Sequence, residues 1–193
     1  MQYIKSSFTN TLEIKQSKFI VHFVPYEEYE ITLKRLKKQH PKARHFVIAY
    51  RYLNELNQII EASSDDGEPK GTSGKPSLMV LQGADIINSA VIIVRYFGGT
   101  KLGTGGLVRA YSDAVNLVLN LSELIEYKEE IIKKISFDYS NIRKIEYKCR
   151  VHDIEIIHKE FSDKTIYELK ASKENMKIFL ASSLNSISHI PHR

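Results

Sequence analysis

Apolar residues fall along this chain in blocks whose spacing alternates between every second position and every third or fourth. Residues 12–24 predict a strand, with the run Phe19-Ile20-Val21-His22-Phe23-Val24 closed by Pro25. Over residues 27–40 the period lengthens. Tyr29, Leu33 and Leu36 form one stripe, so a helix is predicted, stopped by Pro41. Lys34, Arg35, Lys37 and Lys38 crowd its C-terminal end, where cations complement the last carbonyls. Residues 43–52 alternate again, Phe46, Ile48 and Tyr50 against Val47, Ala49 and Arg51, and predict a second strand. Residues 55–61 predict a short third strand, and residues 63–74 are rich in turn formers. A short helix is expected over 76–83. Residues 88–96 contain Ala90-Val91-Ile92-Ile93-Val94, an unbroken β-branched run that suits a strand covered on both faces. A glycine-rich loop follows, then a long helix over 106–126, with Leu107, Ala110, Tyr111, Ala114, Val115 and Val118 at helical spacing.

Beyond Tyr127 the pattern restarts: strand (131–139), helix (141–151), strands (153–161 and 165–171), helix (173–186). Ser172 fits an N-cap, with Glu174 in the first turn. This β-α-β-β-α order begins a ferredoxin-like domain, which normally closes with a fourth strand. The tail from Ser188 to Arg193 is short and polar and makes a poor final strand, so the domain is expected either to be incomplete or to leave one sheet edge uncovered. The sequence therefore predicts an α+β protein of two domains, residues 1–127 and 128–193.

The 193 residues are 42% apolar and 26% charged, enough to build a core and stay soluble. Cys149 is the only cysteine, which excludes a disulfide scaffold and leaves no Cys-based zinc site. The N-terminus lacks the apolar core of a signal peptide, and no apolar run approaches the roughly 18 residues of a membrane span. A cytoplasmic protein without membrane association is expected. The net charge of +5 is spread over both halves; it permits an RNA or ribosome partner without demanding one.

The candidate chemistry is concentrated. All nine glycines lie between Gly67 and Gly106. Gly98, Gly99, Gly103, Gly105 and Gly106 join a buried strand to a helix, where open N–H groups form an anion cradle. Arg95, Lys101 and Arg109 add positive charge around it. No Gly-Lys-Ser/Thr closes the loop, so it is not a Walker A motif, and the spacing does not fit the dinucleotide fingerprint either. A tight turn needed only for packing accounts for these glycines equally well. Asp65, Asp66 and Glu68 form an acidic group that could bind Mg²⁺ or act as bases. They could equally accept hydrogen bonds from the local backbone, Arg44 or Arg95. His45 beside Arg44 reads as an edge residue or as an acid–base group, and His22 as structural. The remaining histidines lack metal-ligand spacing. No nucleophile elbow is present, and Cys149 has no electropositive context. No catalytic residue, metal or cofactor is expected.

Three ordered blocks carry a resemblance: Ala43-Arg44-His45; Ser64-Asp65-Asp66-Gly67-Glu68-Pro69 with Gly71-Thr72; and Arg95-Tyr96-Phe97-Gly98-Gly99 with Leu102-Gly103, Gly106-Leu107, Arg109-Ala110-Tyr111. Together they resemble the YigZ/IMPACT family, bacterial two-domain type. The resemblance implies that the N-terminal domain is an α/β sandwich of the ribosomal-protein domain-2-like fold, shared with domain IV of elongation factor G and the GHMP kinases. It implies a smaller ferredoxin-like domain similar to elongation factor G domain V. Eukaryotic members regulate translation under amino-acid starvation, by competing for an activator of an initiation-factor kinase. Bacterial members lack that pathway, and the family block begins near residue 15, so no eukaryotic-type N-terminal partner domain is expected. What carries over is a link to RNA, the ribosome or a translation-related protein.

Two functions follow as expectations. One is a non-enzymatic binding or regulatory protein that contacts RNA or the ribosome through Arg95, Lys101, Arg109 and the glycine loop. The other is an enzyme acting on a phosphorylated small molecule, with Mg²⁺ at Asp65, Asp66 and Glu68. Arg44, His45, the three acids and Thr72 are expected on the same surface as the loop, because clustered carboxylates need nearby cations.

Overall fold

The computed structural model describes residues 1–184 and 187–189. They divide into two compact units, residues 1–127 and 128–193. Among the described residues there are five α-helices and three sheets. None of the helices is long and apolar enough to cross a membrane.

The first unit is built on a five-stranded antiparallel sheet. Strands β2 (Phe8–Ile14), β3 (Ser17–Pro25), β4 (His45–Leu53), β5 (Ile59–Ser64) and β6 (Ser89–Tyr96) lie in the order β2-β3-β6-β4-β5. The apolar run of 90–94 sits in β6, the central strand, and every residue from Ser89 to Arg95 is buried. Helix α1 (Tyr29–Gln39) covers one face, where Leu36 and Leu33 pack on Phe46, Ile92 and Val94. Helices α2 (Gly74–Gly83) and α3 (Gly103–Leu119) cover the other, where Leu81, Leu107, Tyr111 and Ala114 meet Phe19, Val47, Val91 and Ile93. Burial on both faces therefore arises here in an antiparallel sheet.

Residues 12–24, expected as one strand, form a hairpin instead. The chain reverses at Lys15 (φ 46°) and Gln16 (φ 64°), left-handed positions held by residues that give no glycine or asparagine turn signal. The third strand falls at Ile59–Ser64, after a turn in which Asn54 Oδ1 accepts from the N–H groups of Leu56 and Gln58. Helix α3 starts three residues before its predicted start and ends at Leu119. The remainder of the predicted helix turns back, and β7 (Ile125–Glu126) pairs with β1 (Gln2–Tyr3). Beside that pair the Tyr127 N–H donates to the Met1 carbonyl at 2.9 Å.

In the second unit, β8 (Glu130–Phe137), α4 (Ile142–Val151), β9 (Glu155–Phe161), β10 (Thr165–Ser172) and α5 (Lys173–Ser183) follow in order. Ser172 caps α5, its Oγ accepting from the Asn175 N–H at 3.2 Å. Residues 185 and 186, in the predicted extension of this helix, lie outside the described residues, as do 190–193 of the tail. The tail does supply a fourth strand: β11 (Ser188–His189) pairs with β8 and gives the antiparallel order β11-β8-β10-β9. A strand of two residues leaves no periodicity to read. Ile135, Phe137, Tyr167, Leu169, Met176 and Phe179 form this unit's core.

Candidate functional site

The acidic loop between β5 and α2 is organised by Asp65. Its carboxylate accepts from the N–H groups of Gly71 (2.7 Å), Ser73 (3.1 Å) and Gly74 (2.8 Å), and from Ser73 Oγ (2.7 Å). It thereby caps the first turn of α2, where a negative charge is favoured. Burial alone would raise its pKa. The Ser73, Gly71 and Gly74 hydrogen bonds outweigh that and hold it below the ordinary carboxylate value. Asp66, at φ 43°, accepts from the Phe46 N–H through Oδ2 at 2.6 Å and ties the loop to the start of β4.

Glu68 turns inward. Its carboxylate is buried and takes two donors on one oxygen: Arg95 Nη1 at 2.5 Å and Tyr111 Oη at 2.8 Å. The strand register explains the meeting, because His45 and Phe19 flank Arg95 on the neighbouring strands and all three lie on the sheet face covered by α2 and α3. The Arg95 guanidinium lies 5.4 Å from the centre of the Phe19 ring. Burial, then the Glu68 charge, drive the Tyr111 hydroxyl far above its usual pKa, so it stays a donor. Breaking such a buried pair from one side costs about 3–5 kcal/mol. His45 Nδ1 lies 2.9 Å from the Asp66 carbonyl, which can only accept, so Nδ1 carries the proton and Nε2 is left 4.0 Å from Glu68 Oε1.

Beyond β6 the glycines divide by role. A Cβ on Gly98 would stand 2.0 Å from the Gln16 backbone, and the Gly98 N–H donates to Ser17 Oγ at 3.1 Å. Gly98 is thus required by packing against the β2–β3 turn. Gly99 (φ 85°) and Gly103 (φ 74°) take left-handed backbone. A Cβ on Gly106 would be 3.1 Å from Leu102 Cβ. Gly105 has neither constraint, since its φ is not positive and a Cβ there would meet nothing within 4 Å. Leu102, at the N-cap of α3, offers no side-chain cap to the first turn.

A pocket of about 340 Å³ opens at that first turn. The acidic loop contributes Glu68 and Pro69 to its wall, and the end of β6 contributes Arg95 and Phe97. The start of α3 completes it with Lys101, Leu102, Gly103, Thr104 and Leu107. The structure thus brings Glu68, Arg95, Lys101 and Gly103 together, with His45 behind Glu68. Arg109 is exposed on α3 and forms no part of the pocket wall, and Arg44 is exposed with no ion pair to the acids. Thr72 is buried, its hydroxyl donating to the Pro69 carbonyl at 2.7 Å. Of the three acids expected near Arg44 or Arg95, Glu68 pairs with Arg95, whereas Asp65 and Asp66 accept from backbone N–H groups instead. No group of three His, Cys, Asp or Glu side chains among the described residues could hold a metal ion.

Two contributors escaped the sequence reading. Tyr111 looked like one more apolar position on its helix, yet its hydroxyl completes the Glu68 pair. Phe97 stood in a motif without a role and is 55% exposed at the pocket. A larger cavity, about 490 Å³, lies in the second unit and is lined by charges of both signs together with Cys149. Burial, then Glu146, push that thiol up to about 11, so it is a poor nucleophile.

The profile of the Impact N-terminal domain matches residues 15–119, which span both the acidic loop and the pocket. The chain belongs to the IMPACT family. An IMPACT family member from Haemophilus influenzae is 35% identical over 178 residues, covering 91% of this chain and 86% of that protein. The IMPACT family member YvyE of Bacillus subtilis is 34% identical over 179 residues, covering 91% and 82%. A crystal structure described as that of a hypothetical protein superposes with a TM-score of 0.66 at 27% identity, over 100% of this chain and 98% of the other. The resemblance read from the three sequence blocks is therefore shown at the level of the family, and IMPACT relatives match both units together.

Proposed function

We propose that this chain is a non-catalytic binding protein that contacts RNA of the translation machinery through the pocket at the start of α3. The observation that carries this reading is the charge arrangement. Glu68 already balances Arg95. The uncompensated positive charge at the pocket is therefore Lys101 together with the open N–H groups of the first helical turn. Such a site takes a phosphate and leaves the buried pair intact. The net charge of +5 favours the same class of partner. Further support comes from the resemblance to translation-factor domains, in which an α/β sandwich of the ribosomal-protein type is followed by a ferredoxin-like domain. The carboxylates that a Mg²⁺-dependent enzyme would need are engaged elsewhere, so the site favours binding over phosphoryl chemistry.

The test is affinity for ribosomes and for isolated ribosomal RNA as a function of salt. A few phosphate contacts predict a fall of roughly tenfold or more between about 50 and 200 mM salt. Lys101→Ala should weaken binding and flatten the slope of log affinity against log salt by about 0.7–0.9. Affinity that is flat across this range, or absent at low salt, overturns the reading.

A further inference from the structure

We infer that the pocket receives one unpaired nucleotide of an RNA strand, with its base against Phe97 and its phosphate at the first turn of α3. This rests on the RNA-binding reading above and specifies what enters the site. Four observations point there. First, the pocket surface is mostly apolar: Pro69, Leu102 and Leu107 line it beside Phe97. Such walls waste a bare phosphate and suit a planar base. Second, Phe97 is 55% exposed while the Arg95 guanidinium holds its ring at 5.9 Å. An aromatic ring anchored by a cation and open to solvent is a stacking platform.

Third, Gly105 has no internal reason to be glycine, as its φ is ordinary and a Cβ there would touch nothing. Glycine is disfavoured in a helix, so its presence in the exposed first turn, one residue beyond Thr104 of the pocket wall, fits close approach of a phosphate at the pocket rim to its N–H. Fourth, Arg95 forms part of the pocket wall with its charge already held by Glu68, which leaves Lys101, on the same wall, as the cation for a backbone phosphate. The volume of about 340 Å³ lies at the small end of ligand sites, the size for one nucleotide and not for a duplex groove. A base held in a helical stack cannot enter; a splayed base of a single strand can.

The experiment measures fluorescence anisotropy of the whole protein with a labelled single-stranded RNA decamer, the same sequence as a duplex, and AMP as competitor. Wild type should bind the single strand more tightly than the duplex. Phe97→Ala should weaken single-strand binding about tenfold with its salt slope unchanged, and Phe97→Trp should retain it. Lys101→Ala should lower the slope instead. Thermal unfolding of each variant should match wild type, since both side chains are exposed. If Phe97→Ala binds the single strand as wild type does, the nucleotide assignment falls while the RNA reading stands. Equal affinity for strand and duplex has the same consequence. If AMP displaces the strand at equimolar nucleotide, the ligand is a free nucleotide and the strand assignment falls. If wild type binds neither RNA at low salt, the functional reading itself fails.

Discussion

Asp65 shows how a residue that looks like a ligand can be structural. Three backbone N–H groups and one hydroxyl converge on it, so its carboxylate is occupied by donors from its own loop and the start of α2. Asp65→Ala removes a helix cap and leaves those donors unsatisfied. It should destabilise the protein by about 1–3 kcal/mol, read as a lower urea midpoint at neutral pH. The carboxyl is held below its ordinary value of 3.8, because hydrogen bonds overcome the cost of burial. Its contribution is therefore complete above that value and is lost as the pH falls through the lower folded-state value. The difference between wild type and variant should stay constant from neutral pH down to about 5, then narrow on further acidification. A difference that widened in acid would mean that the protonated form makes the better cap. The need of these acids for partners was legible in the sequence. Which partner each took was not, because that depends on strand register: Glu68 reaches Arg95 only because β6 ends beside the loop.

Among the elements, the β6–α3 connection separates glycines kept for the fold from one that the fold does not use. Gly98→Ala forces a methyl into the Gln16 backbone, so the β2–β3 turn must move; a loss of about 1–3 kcal/mol is expected. Gly105→Ala should do the opposite, raising stability by about 0.5–1 kcal/mol through helix propensity while weakening RNA binding. Thermal unfolding and the anisotropy titration read both effects. If Gly105→Ala stabilises and leaves binding intact, the phosphate does not approach that N–H. The positions of β4 and β6 could be read from their apolar patterns, alternating in one and unbroken in the other, because those patterns match what they bury; α2 buries Gly74, Pro76 and Ser77 beside Leu81 and carries no apolar stripe. The β2–β3 turn could not be read, since lysine and glutamine at left-handed φ carry no turn signal. Nor could the end of α3. Leu121 stands where a helical stripe would continue, yet it is 61% exposed and the chain has already left the helix.

At the level of the whole molecule, each unit has its own buried core, and no residue of one core cluster belongs to the other unit. A fragment of residues 1–127 should fold alone and unfold cooperatively, since a chain of this length buries enough apolar surface for independent stability. It should also retain the salt-dependent RNA affinity. Loss of near-UV circular dichroism in the fragment would show that the first unit needs the second. The pairing of Gln2–Tyr3 with Ile125–Glu126, and the bond from Tyr127 to Met1, bring the two ends of this unit within one hydrogen bond of each other. Topologically the unit is a closed ring with a single seam. It can be spliced into a surface loop of an unrelated host protein without stretching either partner. Recut at the Asn54–Gln58 turn, with the old ends fused, it should keep the same sheet, read as an unchanged far-UV circular dichroism spectrum.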